Sequence, residues 1–98
     1  MSARRIEWVR GYEDPHDPEF RIPYYTAQVR NNLTARIEMD PYWDGDCRRP
    51  KCFGWNLMVG NIWMHFHAEK DDRGGRKALS AAKATALLCR FNIDGETP

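Results

Sequence analysis

The stretch Phe53-Gly-Trp-Asn-Leu-Met-Val-Gly-Asn-Ile-Trp-Met-His-Phe-His-Ala68 decides the fold. Gly60-Asn61 is a two-residue turn with glycine first, which is typical of a tight β-hairpin. Counting outward from this turn places all the apolar pairs on one face: Val59 with Ile62, Leu57 with Met64, Trp55 with Phe66, and Phe53 with Ala68. The other face carries the remaining pairs: Met58 with Trp63, Asn56 with His65, Gly54 with His67, and Cys52 with Glu69. We therefore predict a hairpin that buries one face and leaves Trp63 and both histidines outside.

Residues 24–39 predict a second hairpin around Asn31-Asn32, because asparagine tolerates positive φ. A strict two-residue loop pairs Arg30 with Leu33 and mixes polar and apolar residues on both faces. Moving the pairing by one residue, with a three- or five-residue loop, collects the apolar residues on one face: Tyr25, Ala27, Val29, Ala35, Ile37 and Met39. Because a one-residue slip exchanges the two faces of a strand, we predict the second register.

A helix is predicted from Arg76 to Arg90 or Phe91, since this segment is rich in Ala, Leu and Lys and Asn92 can terminate it. At 100° per residue its inward face consists of small residues and one leucine: Ala78, Ala81, Ala82, Thr85, Leu88 and Cys89. The opposite face is defined by Arg76, Ser80, Lys83 and Arg90. Small side chains allow a helix to lie close to a sheet.

The N-terminal residues 1–23 predict an extended arm, because Pro15, Pro18 and Pro23 cannot continue a helix or a central strand. The apolar residues of this arm suggest that it lies across the domain, with a short strand near Ile6–Val9. We predict a single α+β domain over residues 1–98. It has an arm (1–23), a four-stranded antiparallel sheet of two hairpins (24–69), a C-terminal helix packed on one sheet face (75–91) and a loose tail (92–98).

Composition excludes several classes of protein. The 98 residues carry 15 Lys/Arg and 14 Asp/Glu, a net charge of +1, so no overall field draws the chain to nucleic acid or membrane. The length excludes the large cofactor-binding α/β folds. We expect no membrane span and no secretory signal, because long apolar runs are missing. The odd cysteine count, 3, argues against a disulfide framework and favours a reducing cytoplasm.

A metal site is one candidate. Cys47 and Cys52 precede His65 and His67 with most of the spacing of a two-cysteine, two-histidine zinc site. In the predicted hairpin both histidines face one side, and Cys52 is diagonal to His67. Zinc fingers, however, carry their histidines on a helix, and outward-facing histidines are often only polar surface. Zinc therefore stays an alternative to a chain without cofactor.

Enzymatic chemistry has little support. The sequence contains no nucleophile elbow, no phosphate-binding glycine loop and no two-carboxylate motif. Cys52 with His65 or His67 could serve as nucleophile and base, but no residue is placed to orient a base. Cys89, on the inward helix face, is expected to be a small core residue. We predict a non-catalytic protein.

Nucleic-acid binding is a second candidate. The helix carries Arg76, Lys77, Lys83 and Arg90 and no acid, and three of these recur every seven residues as a stripe that could follow phosphates. The segment Gly74-Gly-Arg-Lys-Ala-Leu-Ser-Ala-Ala-Lys-Ala-Thr-Ala-Leu-Leu88 resembles the last helix of double-stranded-RNA-binding domains. In that family a glycine-then-basic helix start grips phosphates. A basic face that is simply solvated is the alternative.

Protein binding is the third candidate and the leading one. If the helix covers one sheet face, the other carries Met58, Trp63, His65 and His67, with Tyr42 and Trp43 in the loop 40–52 beside it. Trp and Tyr are enriched at interface hot spots. The acidic strip Asp40, Asp44 and Asp46 would suit a basic partner. Alternatively the arm, through Ile6, Trp8 and Tyr12, folds over this face and covers it.

The chain as a whole resembles the short orphan accessory proteins of phages and mobile elements. The resemblance rests on its small size, its Arg- and Trp-rich composition, and the Gly54–Trp63 hairpin followed by an alanine-rich helix. It implies a protein that binds and blocks or redirects a host or defence protein, including anti-CRISPR-like inhibition. Stoichiometric protein binding is therefore the leading function, and nucleic-acid binding is the alternative.

Overall fold

A five-stranded antiparallel sheet and one helix make up the chain in a computed structural model, which describes residues 6–13, 22–30, 32–42 and 51–95, with side chains as far as Cys89. The strands are β1 (Val9–Glu13), β2 (Ile22–Arg30), β3 (Leu33–Tyr42), β4 (Lys51–Val59) and β5 (Ile62–His67). A 3-10 turn (Arg73–Gly75) leads into α1 (Arg76–Gly95). The strand order in the sheet is β1-β2-β3-β4-β5, so each strand pairs with its neighbours in the chain. No helix in these ranges is long and apolar enough to cross a membrane.

The α+β class and the antiparallel sheet are confirmed, but the prediction of four strands is wrong. Part of the expected arm is a fifth strand, at Val9–Glu13 rather than near Ile6–Val9, and β2 begins at Ile22, so that Pro23 lies inside a strand. Gly11 allows this pairing because the Tyr24 ring of β2 lies across it; a Cβ at Gly11 would lie 2.6 Å from Cζ of that ring. Residues 9–13 and 22–23 of the expected arm therefore belong to the sheet.

The register of the β4–β5 hairpin is confirmed from Val59↔Ile62 at the turn to Gly54↔His67. Gly60 adopts a φ of 58°, as the tight turn requires. Trp55, Leu57 and Val59 are buried under α1, and Met64 and Phe66 pack partly buried against the same core. Trp63 and both histidines therefore point away from the helix.

Phe53 does not follow this pattern, and its predicted place in the core is wrong. The β3–β4 register shifts between Asp40↔Gly54 and Pro41↔Cys52, so that β4 carries one extra residue, Phe53, opposite β3. Proline cannot donate to the ladder and is typical of such bulges. The bulge turns the Phe53 ring to the side of His65 and His67 and turns Cys52 to the helix side.

The β2–β3 hairpin combines both registers considered from the sequence. Arg30 pairs with Leu33, which leaves a two-residue loop, and Asn32 has a φ of 64°. A bulge at Val29 then shifts the pairing, so that Ala27 lies opposite Ala35. The predicted apolar face is confirmed, because Ala27, Val29, Ala35 and Ile37 are all buried; the longer loop is wrong. A bulge restores the alternation that a two-residue loop alone would break.

The start of α1 is fixed by an aspartate and two glycines. Asp72 accepts hydrogen bonds from the backbone N–H of Lys77 and Ala78, at 2.8 and 2.9 Å, which satisfies donors of the first helical turn. These bonds lower the pKa of the Asp72 carboxyl, and the bond from Lys77 has the largest effect. Gly74 and Gly75 both have positive φ, and the buried Trp55 indole donates to the carbonyl of Gly75 at 2.9 Å.

The helix packs on the sheet through Ala78, Ala82, Ala86 and Cys89, which are all buried. The predicted inward positions of Ala81 and Leu88 are wrong: Ala81 is exposed, and Leu88 is 57% exposed on the flank of the helix. The helix also continues to Gly95, past the predicted end and into the predicted tail. Ile6 and Trp8 pack against this helical layer, on the same side of the sheet.

Candidate protein-binding surface

The sheet surface that faces away from α1, here called the open face, is the candidate site. It carries Gly11, Glu13, Tyr24, Arg36, Glu38, Asp40, Asn56, Met58, Trp63, His65 and His67, together with the bulged Phe53. The alternative in which Ile6 and Trp8 cover this face is wrong for these residues, because both pack on the helix side. Within the described ranges, no helix or strand lies over the open face.

Aromatic side chains stand exposed on the open face. Trp63 is 60% exposed, and Phe53 and Tyr42 are 43% and 42% exposed. The Phe53 and Tyr42 rings meet edge to face with centroids 6.1 Å apart. Large aromatic rings lose little conformational entropy when a partner covers them, which is why they dominate interface energies. The predicted surface residues Trp63, His67 and Tyr42 therefore lie at exposed positions; Trp43 lies outside the described residues.

An imidazole cluster sits beside these rings. Phe53 contacts His67 edge to face at 4.8 Å and His65 at 5.6 Å between ring centroids. The His65 ring lies over Gly54, where a Cβ would be 2.7 Å from its Cε1. The carbonyl oxygen of Phe66 is closer still, 2.5 Å from such a Cβ, so glycine is required here by both the β5 backbone and the ring. The sequence pairs Gly54 with His67, but it does not show that the ring of His65 covers the glycine.

His65 is held in place by its neighbours on β3 and β4. Its Nδ1 lies 2.7 Å from Oδ1 of Asn56 and 3.8 Å from Oδ2 of Asp40. Because Oδ1 can only accept, Nδ1 donates the proton in this arrangement. Nε2 is buried and has no hydrogen-bond partner. The contacts of Nδ1 thus orient the His65 ring beside Phe53.

A charged cluster occupies the centre of the open face. The guanidinium of Arg36 hydrogen-bonds Glu38 on its own strand, lies 3.6 Å from Glu13 of β1, and stacks over the Tyr24 ring at 3.9 Å. Partial burial lowers the pKa of Arg36, but the hydrogen bond and charge of Glu38, with Tyr24 and Glu13, outweigh it and raise the pKa. The charge of Arg36 is thus neutralised by two carboxylates, those of Glu13 and Glu38. No local sequence pattern indicates this cluster, because its residues come from three strands.

Cys52 lies on the helix side of the sheet, against Gly75 and Trp55, while His65 and His67 lie on the open face. The predicted placement of Cys52 beside His67 is therefore wrong, because the bulge at Phe53 reverses its side. Burial raises the pKa of the Cys52 thiol to about 11, with Asp72 and Asp40 adding to the rise against a hydrogen bond to Gly54. Such a thiol stays protonated at neutral pH, and only a thiolate is a good nucleophile or metal ligand.

The zinc and catalytic alternatives both require Cys52 on the same side of the sheet as His65 and His67, and it lies on the opposite side. Cys47 lies outside the described residues. Within the described ranges, no group of three or more His, Cys, Asp or Glu is placed to hold a metal ion. Cys89 is buried in the core, and burial raises the pKa of its thiol.

The basic stripe of α1 is only partly arranged as the sequence suggests. Arg76 and Lys77 are exposed, but Lys83 turns its ammonium over the ring of Tyr25, at 4.4 Å from the centroid, on the sheet side of the helix. The side chain of Arg90 lies outside the described residues. A cation held against an aromatic ring is less available to follow a phosphate backbone.

Comparison with known proteins adds no relative: no family model matches the chain, and neither a curated protein nor a solved structure is similar to it. The resemblances to phage accessory proteins and to double-stranded-RNA-binding domains therefore stay predictions.

Proposed function

We propose that this chain is a non-catalytic binding protein that docks its open face on a protein partner, in the manner of a phage-type accessory protein acting in a host cytoplasm. The observation that supports this most directly is the 60% exposed Trp63 on the sheet face that neither α1 nor Ile6 and Trp8 covers. An exposed indole on a strand of a sheet is the kind of anchor that a partner's pocket accepts.

The charge of the open face selects the kind of partner. Glu13 and Glu38 contact the guanidinium of Arg36, and Asp40 lies 3.8 Å from Nδ1 of His65, so carboxylates outnumber guanidinium groups in this described part of the face. An acidic face with aromatic anchors fits a basic protein surface, including one that otherwise binds nucleic acid. Blocking such a surface would inhibit or redirect a host or defence component.

The experiment is affinity capture from the native host with the parent chain and with Trp63→Ala, both treated with nuclease. We expect a stoichiometric partner that Trp63→Ala loses, with the dissociation constant raised about 30-fold or more, as for a hot-spot residue worth about 2 kcal/mol. Ser80→Ala is the control, since this residue is exposed on α1, on the other side of the sheet. Equal capture by parent and Trp63→Ala would refute the proposal.

Nucleic-acid binding is tested by reversing Arg76 and Lys83 to glutamate. Under the proposal these changes leave capture of the partner intact. A salt-dependent shift of a labelled duplex that survives Trp63→Ala and is lost in the double reversal would instead favour the helix as the site.

A further inference from the structure

The two outer strands of the sheet differ in chemistry. In the described part of the chain, β1 and β5 form the edges. β1 carries Arg10 and Glu13, and charged residues on an edge strand discourage pairing with another chain. β5, Ile62-Trp-Met-His-Phe-His67, contains no Lys, Arg, Asp, Glu or Pro, and its register with β4 runs without a bulge. β5 therefore lacks the features that normally protect an edge.

The outer edge of β5 presents a regular row of backbone groups. Ala68 donates its N–H to the carbonyl of Phe53 at 3.0 Å, which fixes the hydrogen-bonded pairs of the β4–β5 ladder. Such pairs alternate along an antiparallel ladder. Ile62, Met64 and Phe66 consequently turn their N–H and C=O groups toward β4. The same groups of Trp63, His65 and His67 point outward.

Apolar surface accompanies this edge on the helix side. Ile62 is 38% exposed at the start of β5, and Leu88 is 57% exposed two turns after Ala81 on the flank of α1. A cavity of about 600 Å³ runs beside the edge; Phe66, Ala78 and Ala81 line it together with charged residues, among them Glu69, Asp71 and Lys77. There is room beside β5 for a further strand, and apolar side chains for it to cover.

We propose that β5 pairs antiparallel with β5 of a second copy of this chain, about a twofold axis through His65. In this register Trp63 lies opposite His67 of the second copy, and His65 lies opposite its own counterpart, so all the outward backbone groups find partners. Met64 meets Phe66 of the second copy on the helix side and extends the core across the axis. The result is one continuous sheet with the two open faces side by side.

A second copy fits better than an unrelated strand because the edge is self-complementary. The three outward residues are symmetric about His65, and a register centred on Met64 would use only two of them. The strand carries no Lys, Arg, Asp or Glu that would repel its own image. A twofold interface requires this kind of self-matching surface.

The test is the mass of the purified chain by light scattering, with no partner added. We expect about twice the 11.5 kDa of one chain. A double variant, Trp63→Lys with His67→Lys, places like charges opposite each other at both symmetric positions and should weaken the dimer about tenfold or more. The matched variant, Trp63→Lys with His67→Glu, places opposite charges there and should restore it. Both positions are exposed, and circular dichroism checks that each variant is folded.

The inference is overturned if the parent chain stays monomeric over a 100-fold range of protein concentration. A dimer that both double variants leave unchanged overturns this edge as its interface, and a dimer lost in both variants overturns the register. The proposed function is judged separately, because Trp63→Ala keeps every backbone bond of the dimer. Loss of capture with an unchanged mass concerns the partner alone.

Discussion

Gly74 and Gly75 provide a matched pair for testing how α1 is seated on the sheet. Both have positive φ, 65° and 69°, so alanine at either position suffers similar backbone strain, about 1–2 kcal/mol. They differ in their surroundings. A Cβ at Gly74 would have nothing within 4 Å, whereas one at Gly75 would collide with Sγ of Cys52 and lie 2.8 Å from Nε1 of Trp55.

Gly75→Ala must therefore push the helix start away from Trp55. That movement breaks the 2.9 Å hydrogen bond from the indole to the Gly75 carbonyl, and leaving such buried groups unpaired costs about 1–3 kcal/mol. We expect Gly74→Ala to lower the free energy of unfolding by about 1–2 kcal/mol and Gly75→Ala by about 2 kcal/mol more. The change in unfolded-chain entropy is the same for both and cancels in the difference.

Urea unfolding followed by tryptophan fluorescence, at one protein concentration, measures this difference. At a slope of about 1.2 kcal/mol per molar, an extra 2 kcal/mol lowers the midpoint by about 1.7 M relative to Gly74→Ala. Adding Cys52→Ala to Gly75→Ala removes the colliding sulfur and should recover part of the loss. Equal midpoints for the two single alanine variants would refute the close approach of strand and helix start.

Other predictions concern Asp72, Cys52 and Gly54. The pKa of Asp72 is lowered in the folded chain, so the stability that its carboxylate contributes is complete above the unfolded pKa, about 4, and is lost as pH falls through the folded pKa. Asp72→Asn should therefore destabilise the chain at pH 7, and the stabilities of parent and variant should converge in acid denaturation curves. Because alkylation requires the thiolate, the Cys52 thiol, with a pKa of about 11 instead of 9.0, should react about 100-fold more slowly at pH 8 than an ordinary thiol. Mass spectrometry of the labelled peptides measures this rate, and an ordinary rate would contradict the burial of Cys52. A Cβ at Gly54 would collide with the carbonyl oxygen of Phe66 and with the His65 ring, so Gly54→Ala should cost about 1–3 kcal/mol and displace the ring. The Nδ1–H resonance of His65 should then be lost by NMR; an unchanged resonance would show that the ring does not lie over Gly54.

The β4–β5 hairpin could be predicted from the sequence because its turn and its alternation agree. Gly60 fixes a two-residue turn, and from there the side of Trp55, Leu57 and Trp63 follows from parity alone. The exposed indole on the open face was therefore within reach of sequence reasoning. The same counting gives the wrong side for Phe53, because a bulge adds one residue to β4 and reverses the side of each residue before Gly54. Pro41 in β3 is the signal that could have indicated this bulge.

Other features depend on side chains that are distant in the sequence. The strand β1 is fixed by Glu13 against Arg36 and by Gly11 beneath the Tyr24 ring, and no local pattern reveals those contacts. The predicted inward face of α1 was wrong by part of a turn, since several faces of an alanine-rich helix are similar. The contact of Gly75 with Trp55 determines which of these faces is buried. The orientation of Lys83 toward Tyr25 follows from that docking.

The agreement between strand order and chain order has a consequence for how the chain acquires its fold. The sheet is a meander, in which each strand pairs with the strand before it and no crossover is needed. Relative contact order is therefore low for a sheet protein, and we expect correspondingly fast folding. The packing of Ile6 and Trp8 beside the middle of α1 is different, because it closes a loop over most of the polypeptide. That closure is entropically the most expensive step, and the N-terminal end is expected to join last, after the transition state.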